Sequence, residues 1–175
     1  EEATQPSIVT AGRVRGVHEA ELISQLAVLL GAEEPHIDFT WLGAADPGSR
    51  VRLQAAGVQV LDLPGDASCA AHLASGWIFL APGRVRGFPL FVAQAMAAGL
   101  PCVAFDCPAH RAVIRDGQTG FLCTSAQDMI DRIALLVDDL DLRERLGAAA
   151  RQEARRRFSE SEFGTKLLAA YSQPA

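Results

Sequence analysis

The chain has 175 residues, 16 basic and 21 acidic side chains and a formal charge of −5, with 49% hydrophobic and 21% charged residues. That is enough apolar material for one well-buried domain and too little polar bias for disorder. The acidic balance argues against a general nucleic-acid or anionic-membrane binder, which draws affinity from an overall positive field, so any anion site must be local.

Taken in chain order, short apolar runs at 8–11, 37–42, 58–61, 77–81, 102–105 and 120–123 alternate with helical patterns at 19–30, 49–56, 67–75 and 89–98. Each of these helical patterns is followed by a glycine, Gly31, Gly57, Gly76 and Gly99, the usual stop signal. Past Ser125 the strand pattern ceases, and 128–137, 141–158 and 159–171 read as helices, the last with Ser159 and Glu162 at capping-box spacing. Strand and helix in alternation, with continuous apolar strands, predict a doubly wound α/β domain, a parallel sheet covered on both faces and followed by extra C-terminal helices. The expected parts are a linker remnant at 1–6, a Rossmann-like core at 7–124 and C-terminal helices at 125–175.

Other features are quieter. All basic residues but Lys166 are Arg, and alanine is abundant, which reads as compositional bias. Cys69, Cys102, Cys107 and Cys123 form no C-x-x-C pair and read as buried free thiols in a reducing, cytoplasmic setting. No apolar run approaches a membrane span, and a chain beginning at Glu1 without Met reads as a piece of a longer polypeptide. Arg151, Arg155, Arg156 and Arg157 are interleaved with Glu153 and read as a solvated helix face, the alternative being an interdomain contact or a peripheral contact at the inner membrane face. His36, His72 and His110 are too scattered to make a metal set. After the fifth run, His110 and Arg111 in Asp106-Cys107-Pro108-Ala109-His110-Arg111 are candidates for ligand contact, with a plain turn as the alternative.

The most informative local feature is a repeat. Gly12-Arg13-Val14-Arg15-Gly16 recurs as Gly83-Arg84-Val85-Arg86-Gly87, each copy following a predicted strand and preceding a predicted helix. Both therefore fall at the carboxyl edge of the sheet, where open α/β sheets bind ligands. Glycines let backbone amides approach a ligand, helix N-termini favour anions and Arg offers a bidentate fork, so a phosphate or diphosphate ligand is expected. In the second copy Pro89 stands where the first helical residue is expected, behind Gly87-Phe88, so the turn should hold its free amides outward.

From Arg86 to Pro101 the sequence resembles the donor-binding, C-terminal half of family-4 (group 1) glycosyltransferases of GT-B fold, which read E-G-F-G-L-x-x-x-E-A-M-A-x-G-x-P there. Gly12-Arg13, Trp41-Leu42-Gly43, Asp116-Gly117-Gln118-Thr119-Gly120-Phe121-Leu122, Leu142-Arg143-Glu144-Arg145-Leu146-Gly147 and Arg157-Phe158-Ser159 resemble further family motifs, in order and at the right spacing. The resemblance implies strand order 3-2-1-4-5-6 and a nucleotide diphosphate sugar donor. It also implies retention of configuration, no metal or other cofactor, and transfer to a glycan or glycolipid acceptor in polysaccharide or glycoconjugate biosynthesis. The acceptor would be held by a preceding domain absent from this chain, which alone should be inactive. Arg13 matches the family's phosphate-binding Arg, and the backbone of Gly87, Phe88, Pro89 and Leu90 with Gly12 matches its phosphate-facing loops. The departures fall on the chemistry: the family's paired glutamates are Arg86 and Gln94 here, its second phosphate-binding residue falls on His18, and a later glutamate is Ala112. A transferase diverged toward another donor, a catalytically impaired binding or scaffolding module, and a half of a nucleotide-sugar epimerase all remain open on these residues.

Overall fold

The computed structural model describes residues 5–12, 17–33, 36–62, 66–84 and 87–159, without the side chains of 17–19, 33, 66 and 67. The elements are β1 (Ser7–Ala11), α1 (Val17–Glu33), β2 (Asp38–Leu42), α2 (Pro47–Ala55), β3 (Gln59–Leu61), α3 (Asp66–Ser75), β4 (Ile78–Ala81), α4 (Leu90–Ala98), β5 (Cys102–Phe105), α5 (Pro108–Arg111), β6 (Gly120–Cys123), α6 (Ala126–Asp138) and α7 (Leu140–Phe158). All six strands pair in parallel in the order β3-β2-β1-β4-β5-β6. This is the doubly wound, Rossmann-like α/β fold expected of the sequence, with helices following the last strand.

The continuous apolar runs become strands because both faces of the sheet are buried. On one side Ile8, Phe39, Trp41, Ile78, Leu80 and Val103 join α1 and α6; on the other Val9, Leu42, Phe79, Cys102 and Ala104 join α3, α4 and α7. Local chemistry sets the helix ends. Asp46 caps α2, accepting from the Ser49 amide at 3.0 Å; Ser125 caps α6 through the Asp128 amide at 3.1 Å; Asp139 caps α7 through the Leu142 amide at 2.9 Å. Two boundaries differ from expectation. Helix α1 runs through Gly31 to Glu33, so Gly31 is not its stop; apolar packing of the preceding turns outweighs the ~1 kcal/mol that an interior glycine costs. Ser159 is the extended C-cap of α7, and the remainder of the helix expected over 159–171 lies outside the described residues.

All four cysteines are buried, and none is in a disulfide. Burial pushes the Cys102 thiol far above its ordinary range and the Cys123 thiol up to about 12.

The basic run of α7 is largely engaged within the domain. Arg151 donates to the Ala97 and Ala98 carbonyls at 3.4 and 3.2 Å, and Arg157 donates to the Ala112 carbonyl at 2.8 Å. Glu153 is buried and pairs with Arg115 at 3.0 Å, Arg156 at 2.9 Å and Arg157 at 3.5 Å. The Arg156 hydrogen bonds, then the positive charges of Arg115, Arg156 and Arg157, hold its carboxyl below the ordinary range against the opposing effect of burial. A depressed carboxylate pKa contributes stability that is fully present above the unfolded value and lost as pH falls through the folded one. The melting temperature should therefore fall on acidification below the ordinary carboxylate range, and Glu153→Gln should start lower at neutral pH and fall less steeply. An unchanged pH slope in the variant would remove Glu153 from the acid response.

Candidate functional site

Strand order reverses between β1 and β4, and the carboxyl ends of these neighbours frame a cleft of about 240 Å³. Thr10 and Ala11 line it from β1, Trp41 from β2, Phe79 and Ala81 from β4, Phe88 to Val92 from the entry of α4, and His110 from α5. A crevice at the topological switch point is where open α/β sheets take ligands.

The backbone at the mouth is held closely. The Gly12 amide bonds the Leu42 carbonyl at 3.0 Å, and the Gly43 amide bonds the Leu61 carbonyl at 2.8 Å. Gly43 has φ +130°, and a Cβ there would collide with the Gly12 carbonyl oxygen. Any larger residue at 43 would therefore push on the loop that follows β1.

At the entry of α4 the structure corrects one expectation. Pro89 is the N-cap, not the first helical residue, with φ −82° and ψ 74°, and the Leu90 amide bonds the Phe88 carbonyl at 3.0 Å. These are the marks of an inverse γ-turn. Pro89 has no N–H and the Leu90 amide is occupied inside the turn, so the helix presents the amides of Phe91 and Val92, which have no backbone acceptor among the described residues. Gly87, at φ +86°, makes the bend before it. Phe88 and Leu90 are each more than half exposed, and Phe88 meets Phe158 edge to face at 5.4 Å.

The remaining expected residues divide. Gln94 lies one turn into α4, half-buried and not among the residues that line the cleft, with its side-chain Oε1 buried and without a partner. Arg13 and Arg86 lie outside the described residues, and His18 is on α1 without a described side chain. Arg84 is exposed, its guanidinium 4.4 Å from the centroid of the Phe105 ring. Arg111 grips Asp106 in a bidentate pair at 2.5 and 2.6 Å, which lowers the Asp106 pKa.

His110 is the residue whose setting the sequence concealed. It is fully buried, its Nδ1 lies 2.6 Å from the Phe105 carbonyl, and its Nε2 has no partner. Pro108 starts a single helical turn that carries the ring inward. Trp41 behaves similarly: it is buried on β2, with Nε1 unpartnered. Among the described residues no group of three or more His, Cys, Asp or Glu could hold a metal ion, and no helix is long and apolar enough to cross a membrane.

Comparison with known proteins bears on this geometry. The family described as glycosyl transferases group 1 matches residues 5–139. The phosphatidyl-myo-inositol mannosyltransferase of Mycobacterium leprae is 34% identical over 133 residues, covering 72% of this chain and 35% of that protein. The chain thus spans about a third of that relative's length. S. aureus TarM, solved as a point mutant in complex with Fondaparinux, α-GlcNAc-glycerol and UDP, superimposes with TM-score 0.86 at 19% identity, over 99% of this chain and 36% of TarM. The C-terminal domain of a glycosyl transferase group 1 family protein, LpcC of Francisella tularensis, superimposes with TM-score 0.76 at 18% identity, over 89% of this chain and 87% of that domain.

Proposed function

The chain belongs to the group 1 glycosyltransferases, and from that footing we propose that it is the donor-binding domain of a retaining transferase, taking a nucleotide diphosphate sugar in the cleft between β1 and β4. The observation that carries this is the cleft's position: it opens at the switch point, between the carboxyl end of β1 and the first turn of α4. A diphosphate at its mouth would meet the amides of Phe91 and Val92 beside Gly83, where the second Arg-Gly repeat begins. Such preorganised donors stabilise the charge that develops on a departing diphosphate. Side-chain cations and helix-terminal amides do this here in place of a metal ion. Gln94 Oε1, buried without a partner, can accept from a ribose hydroxyl as a neutral substitute for the family's glutamate.

In this proposal a glycan or glycolipid acceptor binds a second domain outside this chain, and the 175 residues alone bind donor without transferring it. Binding is tested by melting the chain with UDP and with GDP. At a hundred times Kd a nucleotide should add about 2.7 kcal/mol of stability, and Arg13→Ala should abolish the shift. No response to either nucleotide would overturn the proposal. The second reading, an impaired binding module, is favoured by Arg86 and Gln94 standing where the family has glutamates. A longer chain that binds donor yet neither hydrolyses nor transfers it would select that reading.

A further inference from the structure

Two of the residues that line the cleft carry a buried polar atom with no partner, Nε2 of His110 and Nε1 of Trp41, on side chains that are 0% and 2% exposed. Their hydrogen-bonding roles are opposite when the imidazole is neutral. The Phe105 carbonyl oxygen can only accept, so at 2.6 Å it holds the proton on His110 Nδ1; in the neutral ring Nε2 then offers a lone pair. Trp41 Nε1 can only donate. Polar atoms buried without partners are costly, and in native structures they are rare enough that each one needs an explanation.

The other walls narrow what could complete them. Ala11, Phe79, Ala81 and Pro82 make the surroundings apolar, which disfavours a doubly charged diphosphate, and a lone pair at Nε2 repels a phosphate oxygen. A space of about 240 Å³ falls below the roughly 300 Å³ at which whole-ligand pockets begin, so it seats one ring. An apolar cavity with a few convergent polar groups is the usual form of a site that orients a ring.

We propose that His110 and Trp41 are specificity-determining residues, accepting and donating one hydrogen bond each to a neutral ring of the nucleotide sugar seated in this cleft. This rests on the donor-binding function proposed above. Two rings of the donor have the required chemistry, the hexose through its hydroxyls and the base through its N–H and C=O edge.

The test measures affinities of the 175-residue chain for UDP, GDP, UDP-glucose and GDP-mannose by calorimetry. His110→Asn keeps a donor for the Phe105 carbonyl and removes the Nε2 acceptor; Trp41→Phe keeps an aromatic ring and removes the Nε1 donor. If the hexose occupies the cleft, the gain of nucleotide sugar over nucleotide should drop about tenfold in each variant, with nucleotide affinity unchanged. If the base occupies it, the preference between UDP and GDP should collapse by a similar factor. A structural role alone lowers all affinities together and leaves both ratios intact, and water as the sole partner leaves every affinity intact; either outcome overturns the proposal. A wild-type chain that binds no nucleotide overturns the donor-binding function and this inference with it, whereas nucleotide binding with unaltered ratios overturns this inference alone.

Discussion

Gly147→Ala should destabilise the domain by about 2–3 kcal/mol, although helix propensity alone predicts the opposite sign. Gly147 sits in the interior of α7, where alanine normally gains about 1 kcal/mol over glycine. Here α7 packs on the end of α4, and a Cβ at 147 would lie well inside 3.0 Å of the Gly99 carbonyl oxygen and 3.4 Å from Pro101 Cδ. The obstacle is backbone, which cannot rotate aside as a side chain would, so α7 must lift from α4 or the turn after α4 must distort. Overpacking of this kind costs about 1–3 kcal/mol and sometimes more, which exceeds the propensity gain. Denaturant unfolding decides it: a variant as stable as wild type or more so would show that the helices separate freely.

Arg143→Met should cost about 3 kcal/mol, and Arg143→Lys about half as much. The Arg143 side chain is buried, with Nη1 donating to the Leu136 and Val137 carbonyls at 2.8 and 3.2 Å and the guanidinium 3.8 Å from the Trp77 ring centroid. It therefore closes the last turn of α6 and covers an aromatic face at once. Methionine fills the volume but leaves those carbonyls without this donor in a buried setting. Lysine restores charge without the planar fork or the stack. For a chain of this length the methionine variant should melt roughly 6–12 °C lower. A shift under about 2 °C would mean that water replaces the guanidinium at little cost.

The fold was legible because the inner strands are buried on both faces, which leaves continuous apolar runs such as Cys102–Phe105 that no surface requirement interrupts. Boundaries set by tertiary contact were less so. Gly31 resembles a stop, but only the packing of α1 tells that the helix continues past it. Pro89 resembles a first helical residue, but a γ-turn, fixed by the Leu90 amide and Phe88 carbonyl, moves it outside the helix. The Arg-rich run looks wholly solvated because the carbonyls that Arg151 and Arg157 reach, those of Ala97, Ala98 and Ala112, are remote in sequence, as is Arg115, which pairs with the interleaved Glu153. The site was legible as a location and not as a set of contacts. Glycines and the repeat mark the sheet edge, whereas the burial of His110 depends on a one-turn helix and a carbonyl five residues earlier. An aromatic strand end followed five residues later by His after Cys-Pro is the signal that could have pointed to it.

The sheet order has a kinetic consequence. Strands β1, β2 and β3 follow one another in the chain and in the sheet, as do β4, β5 and β6, so each trio can assemble from near neighbours. The two trios meet only where β1 pairs with β4, in a register of two residue pairs, Ile8 with Ile78 and Val9 with Phe79, against five between β1 and β2 and four between β5 and β6. Joining them closes the longest loop in the sheet, so this seam should form late during folding and open early during unfolding. The cleft lies directly on it, and a molecule held there by both trios acts as a clasp between two semi-independent folding units.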